Sequence, residues 1–132
     1  MFKVWFSSSF KKTRKAKKRR TPLRKKNRKE YLACKESARQ LVLERIKHYN
    51  DFYQFKVGRI SIKNQKSRWG SCSKKGNLNF NYKIIFLPKE VADYVVVHEL
   101  CHLGQFNHSP AFWQLVAQTL PQYQELKKKL KV

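Results

Sequence analysis

The chain has 132 residues, 41% of them hydrophobic and 14% aromatic, which is enough apolar surface for one small core and too much for a disordered polypeptide. Lys and Arg number 31 against 8 Asp and Glu, a formal net charge of +23, which favours polyanions such as nucleic acid or acidic membrane surfaces over any basic partner. Three cysteines, Cys34, Cys72 and Cys101, are too few and odd in number for a disulfide framework and fit a reducing compartment.

Met1 to Phe10 predicts a short strand. Its apolar stretch is broken by Lys3 and followed by no small-residue cleavage site, so a secretory signal is not expected. No run approaches the roughly 20 apolar residues of a membrane span, and the expectation is a soluble, cytoplasmic protein without a membrane partner. Residues 1–29 hold 14 Lys and Arg and no acid, whereas the remaining 103 residues hold 17 basic and 8 acidic side chains. From Lys11 to Lys29 only Ala16 and Leu23 are apolar, so residues 1–29 read as a basic arm, mobile until it meets a partner such as nucleic acid. The folded domain is expected over residues 30–132.

From Glu30 to about Tyr49, apolar residues at Tyr31, Cys34, Ala38, Leu41, Val42, Ile46 and Tyr49 trace one stripe of an amphipathic helix. Phe55 to Ile62 alternates apolar and polar positions and predicts a strand, with Gly58 at a bulge. Arg68–Ser73 and Leu78–Phe86 flank the turn-forming Lys74–Asn77 cluster and predict a hairpin in which Gly76 takes positive φ. Pro88 then opens a helix to about Gly104 that is apolar nearly all round and belongs inside the fold. Ser109–Pro110 opens another, and Pro121 opens a Lys-rich last helix. The fold class is α+β, a short antiparallel sheet packed on a central helix with further helices around it.

The central helix carries His98, Glu99, Leu100, Cys101 and His102, an HExxH pattern of which this composition yields roughly 0.005 accidental copies. Four residues advance a helix by about 400°, so both imidazoles leave one face and can share a metal ion. Glu99 lies about 100° round from His98, outside the ligand position and beside a water that the metal activates. Catalytic zinc takes three protein ligands and keeps a fourth place for water. Downstream of His102 only His108 and Glu125 have suitable chemistry. His108 is favoured because it precedes the Ser109–Pro110 helix start that would pin it; Glu125 is the alternative on a Lys-rich face. His48 reads as a surface or core histidine.

In Arg68–Cys72 (RWGSC), Trp69 and Gly70 serve packing and close backbone approach, while Arg68 and Ser71 are candidate substrate contacts that stabilise developing negative charge. Cys72 as a fourth ligand would close the site and make the zinc structural. Cys101 reads as a small buried hydrophobe, and Phe112 and Trp113 as packing that holds His108.

The stretches KSRWGSCSKKGNLNFNY, VVVHELCHL and NHSPAFW, within Arg59 to Leu130, closely resemble the YgjP-like metallopeptidase family, grouped near the SprT-like zinc proteins. The resemblance implies a small zincin fold in which His98, His102 and His108 hold Zn2+ and Glu99 is the base. The N-terminus departs from the β-rich region common in such relatives. The expected function is a zinc-dependent hydrolase, foremost a metallopeptidase acting on a peptide or protein. One alternative is a nucleoside-triphosphate pyrophosphohydrolase using the same metal site. Another is a nucleic-acid-binding module with a structural zinc.

Overall fold

The computed structural model of the chain describes residues 21–130; the expected strand at Met1–Phe10 and the arm up to Arg20 lie outside the described residues. Its first helix, α1, spans Pro22–Tyr53 and starts eight residues before the expected Glu30. Thr21 caps it, its side chain accepting from the Arg24 N–H at 3.3 Å, and Pro22 fills the first turn where no N–H is needed. Lys and Arg are good helix formers, so residues 22–29 prolong a helix whose second half is already secured by packing. The expected boundary between arm and domain at residue 30 therefore falls inside α1. Burial begins at Ala38 and follows one stripe through Val42, Arg45, Ile46 and Tyr49. Gln54 ends the helix in a left-handed conformation at φ 56, its N–H on the Asn50 carbonyl at 2.7 Å.

Three short strands follow, β1 Ile60–Lys63, β2 Gly70–Cys72 and β3 Leu78–Asn81, in the order β1-β3-β2. The predicted hairpin is β2 and β3, paired antiparallel around a turn in which Gly76 takes φ +86. The sheet is nevertheless mixed rather than antiparallel, because β1 pairs parallel with β3 in the register Ile60↔Leu78 to Lys63↔Asn81. Alternation of side chains reports which residues face the core, and carries no information on strand direction. Phe55 to Arg59 stays irregular; Gly58 and Arg59 donate to the Gly76 carbonyl and the Asn77 side chain, each at 2.8 Å.

The second hairpin arm was expected to reach Phe86, but the strand stops at Asn81 and Tyr82–Phe86 is a 3₁₀ helix. Asn81 causes the change. Its carbonyl oxygen Oδ1 accepts from the Lys83 N–H at 3.1 Å, while Nδ2 donates to the Gln65 and Arg68 carbonyls, both at 2.9 Å. One buried amide thus starts the 3₁₀ turn and pins the loop leading into β2.

Helix α2, Lys89–Cys101, is the centre of the molecule, buried at every position from Val91 to Cys101. The β-branched run Val95–Val97 stays helical because the segment is long and sheathed by packing on all sides. Helix α1 is locked to it by Arg45, whose Nε and Nη2 donate to the two Asp93 oxygens at 2.7 and 3.0 Å, and by Tyr49, whose hydroxyl donates at 2.9 Å. Both ends of this pair are buried. Asp93→Ala is therefore expected to leave a buried guanidinium uncompensated and to cost about 3–5 kcal/mol in urea unfolding. A loss below about 1 kcal/mol would mean that Arg45 finds water instead. Two further helices, α3 Pro110–Thr119 and α4 Tyr123–Lys129, close the far side. No helix among the described residues is long and apolar enough to cross a membrane.

Candidate metal centre

Helix α2 delivers His98 and Glu99 from its last turn and His102 from its C-cap. The chain then turns through residues 103–107 and returns as Ser109 caps α3, which brings His108 back over the helix end. His98 Nε2 stands 3.2 Å from His102 Nε2 and 3.1 Å from His108 Nε2. All three offered nitrogens lie within 4.8 Å of one another, the one such cluster of metal-binding side chains among the described residues. His98 and His102 are buried and His108 is partly buried.

The protonation of these rings decides what the convergence means. His102 Nδ1 faces the Gln105 carbonyl at 3.1 Å, so it carries the proton and leaves the Nε2 lone pair aimed at His98. Burial pulls the His102 pKa down to about 4 and that of His98 well below the usual imidazole range. His108 is lowered as well, by burial first and by the Lys127 charge second. All three rings are thus neutral at pH 7, each with one proton to share among two nitrogens. The set has too few protons for every Nε2 contact to be a hydrogen bond once Nδ1 is taken, and a cation satisfies the converging lone pairs. Nitrogen ligands at ~2.0–2.1 Å around one tetrahedral ion stand about 3.3 Å apart, close to the spacings seen. The residues fit a metal ion.

Aromatic packing sets the rings. Phe112 touches all three, with ring centroids 5.0 Å from His98, 4.5 Å from His102 and 5.1 Å from His108. Trp113 stacks on His108 at 5.9 Å and 25°. Behind His98, the Tyr94 hydroxyl lies 3.4 Å from Nδ1. Restricting ring rotation in this way lowers the ordering cost of binding an ion.

Glu99 is 1% exposed, and neither of its carboxylate oxygens has a hydrogen-bond partner. Burial raises its pKa well above the usual carboxylate range, and the nearby Arg68 charge opposes that rise. An orphaned buried carboxyl costs several kcal/mol that packing alone does not repay. Strand β2 runs directly against it: a Cβ on Gly70 would stand 2.9 Å from Glu99 Cγ and 2.9 Å from the Asn79 carbonyl. Gly70→Ala is therefore expected to displace Glu99 or the hairpin and to reduce turnover about 10²-fold with metal content unchanged. An alanine variant with native turnover would show that the strand yields at no cost.

The remaining candidates separate by sheet face. Gly70 and Cys72 face the helix, opposite Phe80 and Leu78. Ser71 pairs with Asn79 on the other face, where its hydroxyl accepts from Asn79 Nδ2 at 3.2 Å. Cys72 stays outside the histidine cluster, and burial pushes its thiol up to about 12. Cys101 is buried, and its thiol likewise is pushed up to about 12. Glu125 and His48 are exposed and outside the cluster. The signal missed in the sequence was Tyr94, one turn before His98 on the same helix face.

Comparison with solved structures finds the same fold in the metallopeptidase zymogen abylysin of Pyrococcus abyssi, at TM-score 0.62 and 24% identity, covering 67% of this chain and 90% of that one. No curated protein sequence matches. The family described as YgjP-like, metallopeptidase domain, matches residues 6–132, nearly the whole chain and well beyond the stretch that carries the resemblance in the sequence. A histidine cluster fit for a metal, on a domain matched almost end to end, leads to one assignment: this chain belongs to the YgjP-like metallopeptidase family.

Proposed function

We propose that this is a zincin-like, zinc-dependent peptidase in which His98, His102 and His108 hold the ion and Glu99 is the general base. The observation that carries the reading is the convergence of three neutral imidazoles beside a buried carboxylate with no other partner. Three nitrogen ligands suit zinc and leave a fourth position for water or substrate. When bound, the zinc supplies Lewis-acid chemistry, polarising a carbonyl and lowering the pKa of a neighbouring water.

The chain's own groups do the rest. Glu99 takes the proton from the attacking water and passes it to the leaving amine nitrogen. Its dry surroundings raise its basicity, while Arg68 and a bound cation both favour the ionised form before attack. Arg68 also offers positive charge where the carbonyl oxygen becomes an anion. Tyr94 and the Gln105 carbonyl orient the ligand rings. Among the described residues β2 is an edge strand, and its free side offers backbone groups to an extended peptide beside Glu99. That edge favours a peptide over a nucleotide substrate. The free thiols of Cys34, Cys72 and Cys101 suit a reducing cytoplasm.

Zinc-loaded protein is expected to cleave unfolded casein and to leave a panel of nucleoside triphosphates intact. Pyrophosphate release with casein untouched would transfer the site to nucleotide hydrolysis.

A further inference from the structure

Beside the histidines, between α3 and α4, lies a cavity of about 420 Å³ lined by Trp113, Tyr123, Gln124, Lys127 and Lys128. That volume admits one or two amino-acid side chains. It is tied to the metal centre by a run of stacked rings. Trp113 lies 5.9 Å from His108 at 25°, and Tyr123 lies 5.1 Å from Trp113 at 15°. At ~3.5 Å of chain per residue, a peptide whose scissile bond sits at the histidines brings a side chain one to three residues away into this cavity.

Its charge has one sign: the lining holds two lysines and no acid. Lys127 is held with Nζ 4.7 Å from the Trp113 ring centre, which fixes an ammonium at the cavity instead of letting it sweep through solvent. We propose that the cavity is a substrate-binding subsite that selects a carboxylate on the peptide, with Lys127 and Lys128 as its specificity-determining residues and Trp113 and Tyr123 as its floor. The proposal rests on the peptidase reading and names its substrate class.

A carboxylate fits better than a nucleotide. Trp113 already stacks with two rings and carries Lys127 over it, which leaves little of its surface as a platform for a base. The carboxylate has two sources, an acidic side chain or a free C-terminus, and the test separates them.

Zinc-loaded protein is given four quenched fluorescent peptides that differ only in Glu or Gln two residues beyond the scissile bond and in a free or amidated C-terminus. The expected kcat/KM is about tenfold higher for glutamate, or for the free terminus, than for the uncharged peptide. The K127Q/K128Q double variant is expected to bring the ratio of charged to uncharged peptide down to about one, whatever its absolute rate. Equal rates on all four peptides in the unmodified protein would overturn the proposal, as would an undiminished preference for the carboxylate in the double variant. Calorimetric binding of the same peptides to zinc-loaded Glu99→Gln protein keeps this outcome apart from the peptidase reading. A preference of about tenfold in Kd that depends on the two lysines upholds the subsite even where no peptide is cut. Tighter, lysine-dependent binding of a nucleoside triphosphate would reassign the cavity to phosphate and overturn it.

Discussion

Glu99→Gln is expected to lower kcat on peptide substrates by about 10²–10⁴-fold while the protein still carries one equivalent of zinc. The substitution keeps the size and planarity of a side chain that is 1% exposed and packed against Gly70, so the geometry of α2 and β2 should persist. It removes the one capacity the mechanism needs, the ability to accept and return a proton. Stability should change little, because the carboxylate oxygens have no hydrogen-bond partner to lose. The KM should move far less than kcat if, as proposed, the side chain acts in the transition state and not in uniform binding. Metal content by elemental analysis and kcat from initial rates decide the matter together. A variant that keeps zinc and full turnover would free Glu99 from the role of base. One that loses zinc would make it part of the ligand set.

Why the centre could be read from the chain while its surroundings could not follows from the range of each interaction. His98, Glu99 and His102 lie within five residues, and helical geometry alone puts the two histidines on one face. His108 needed one more local inference, a turn that ends at the Ser109–Pro110 helix start, and α3 does begin at Pro110. The buried character of α2 was equally plain from its unbroken apolar run. Contacts that join distant segments left no trace in periodicity. The Arg45–Asp93 pair spans 48 residues and the Tyr49–Asp93 bond spans 44, and each partner on its own looks like an ordinary helix residue. Phe112 was legible as packing behind His108, but its contact with all three imidazoles depends on where α3 lands. The parallel β1–β3 pairing and the early start of α1 failed for different reasons. Strand direction is not encoded in alternation, and a cationic run reads as solvated whether it is helical or not. The face that Ser71 takes was equally hidden, because a one-residue step along β2 changes the face, and the face is fixed by the register with Asn79.

His102→Ala is expected to weaken zinc binding by about 10²–10³-fold and to abolish turnover at the same time, because in the proposed site one of three ligands and its orienting bond to Gln105 are lost together. The pH dependence adds a sharper test. An exposed imidazole would compete for protons from about pH 6.5 downward, so the ordinary expectation is that zinc affinity falls through pH 6–7. Burial moves this window. With the His102 pKa near 4 and those of His98 and His108 also lowered, protons compete with the ion only at lower pH, and affinity should hold through pH 6. The metal-free protein should show the matching effect in stability. A folded-state pKa below the unfolded value means that the unfolded chain binds more protons between the two, so stability present above about pH 6.5 is lost as pH falls toward 4. In His102→Ala that pH slope should shrink by the share His102 contributes, while the slope from His98 and His108 remains. Zinc affinity by competition with a chromophoric chelator, together with urea unfolding of the apo protein between pH 4 and 7, measures both. Zinc affinity that collapses at pH 6–7 in the unsubstituted protein would mean that water reaches the three rings, and with it the dry surroundings that make Glu99 a strong base would be gone.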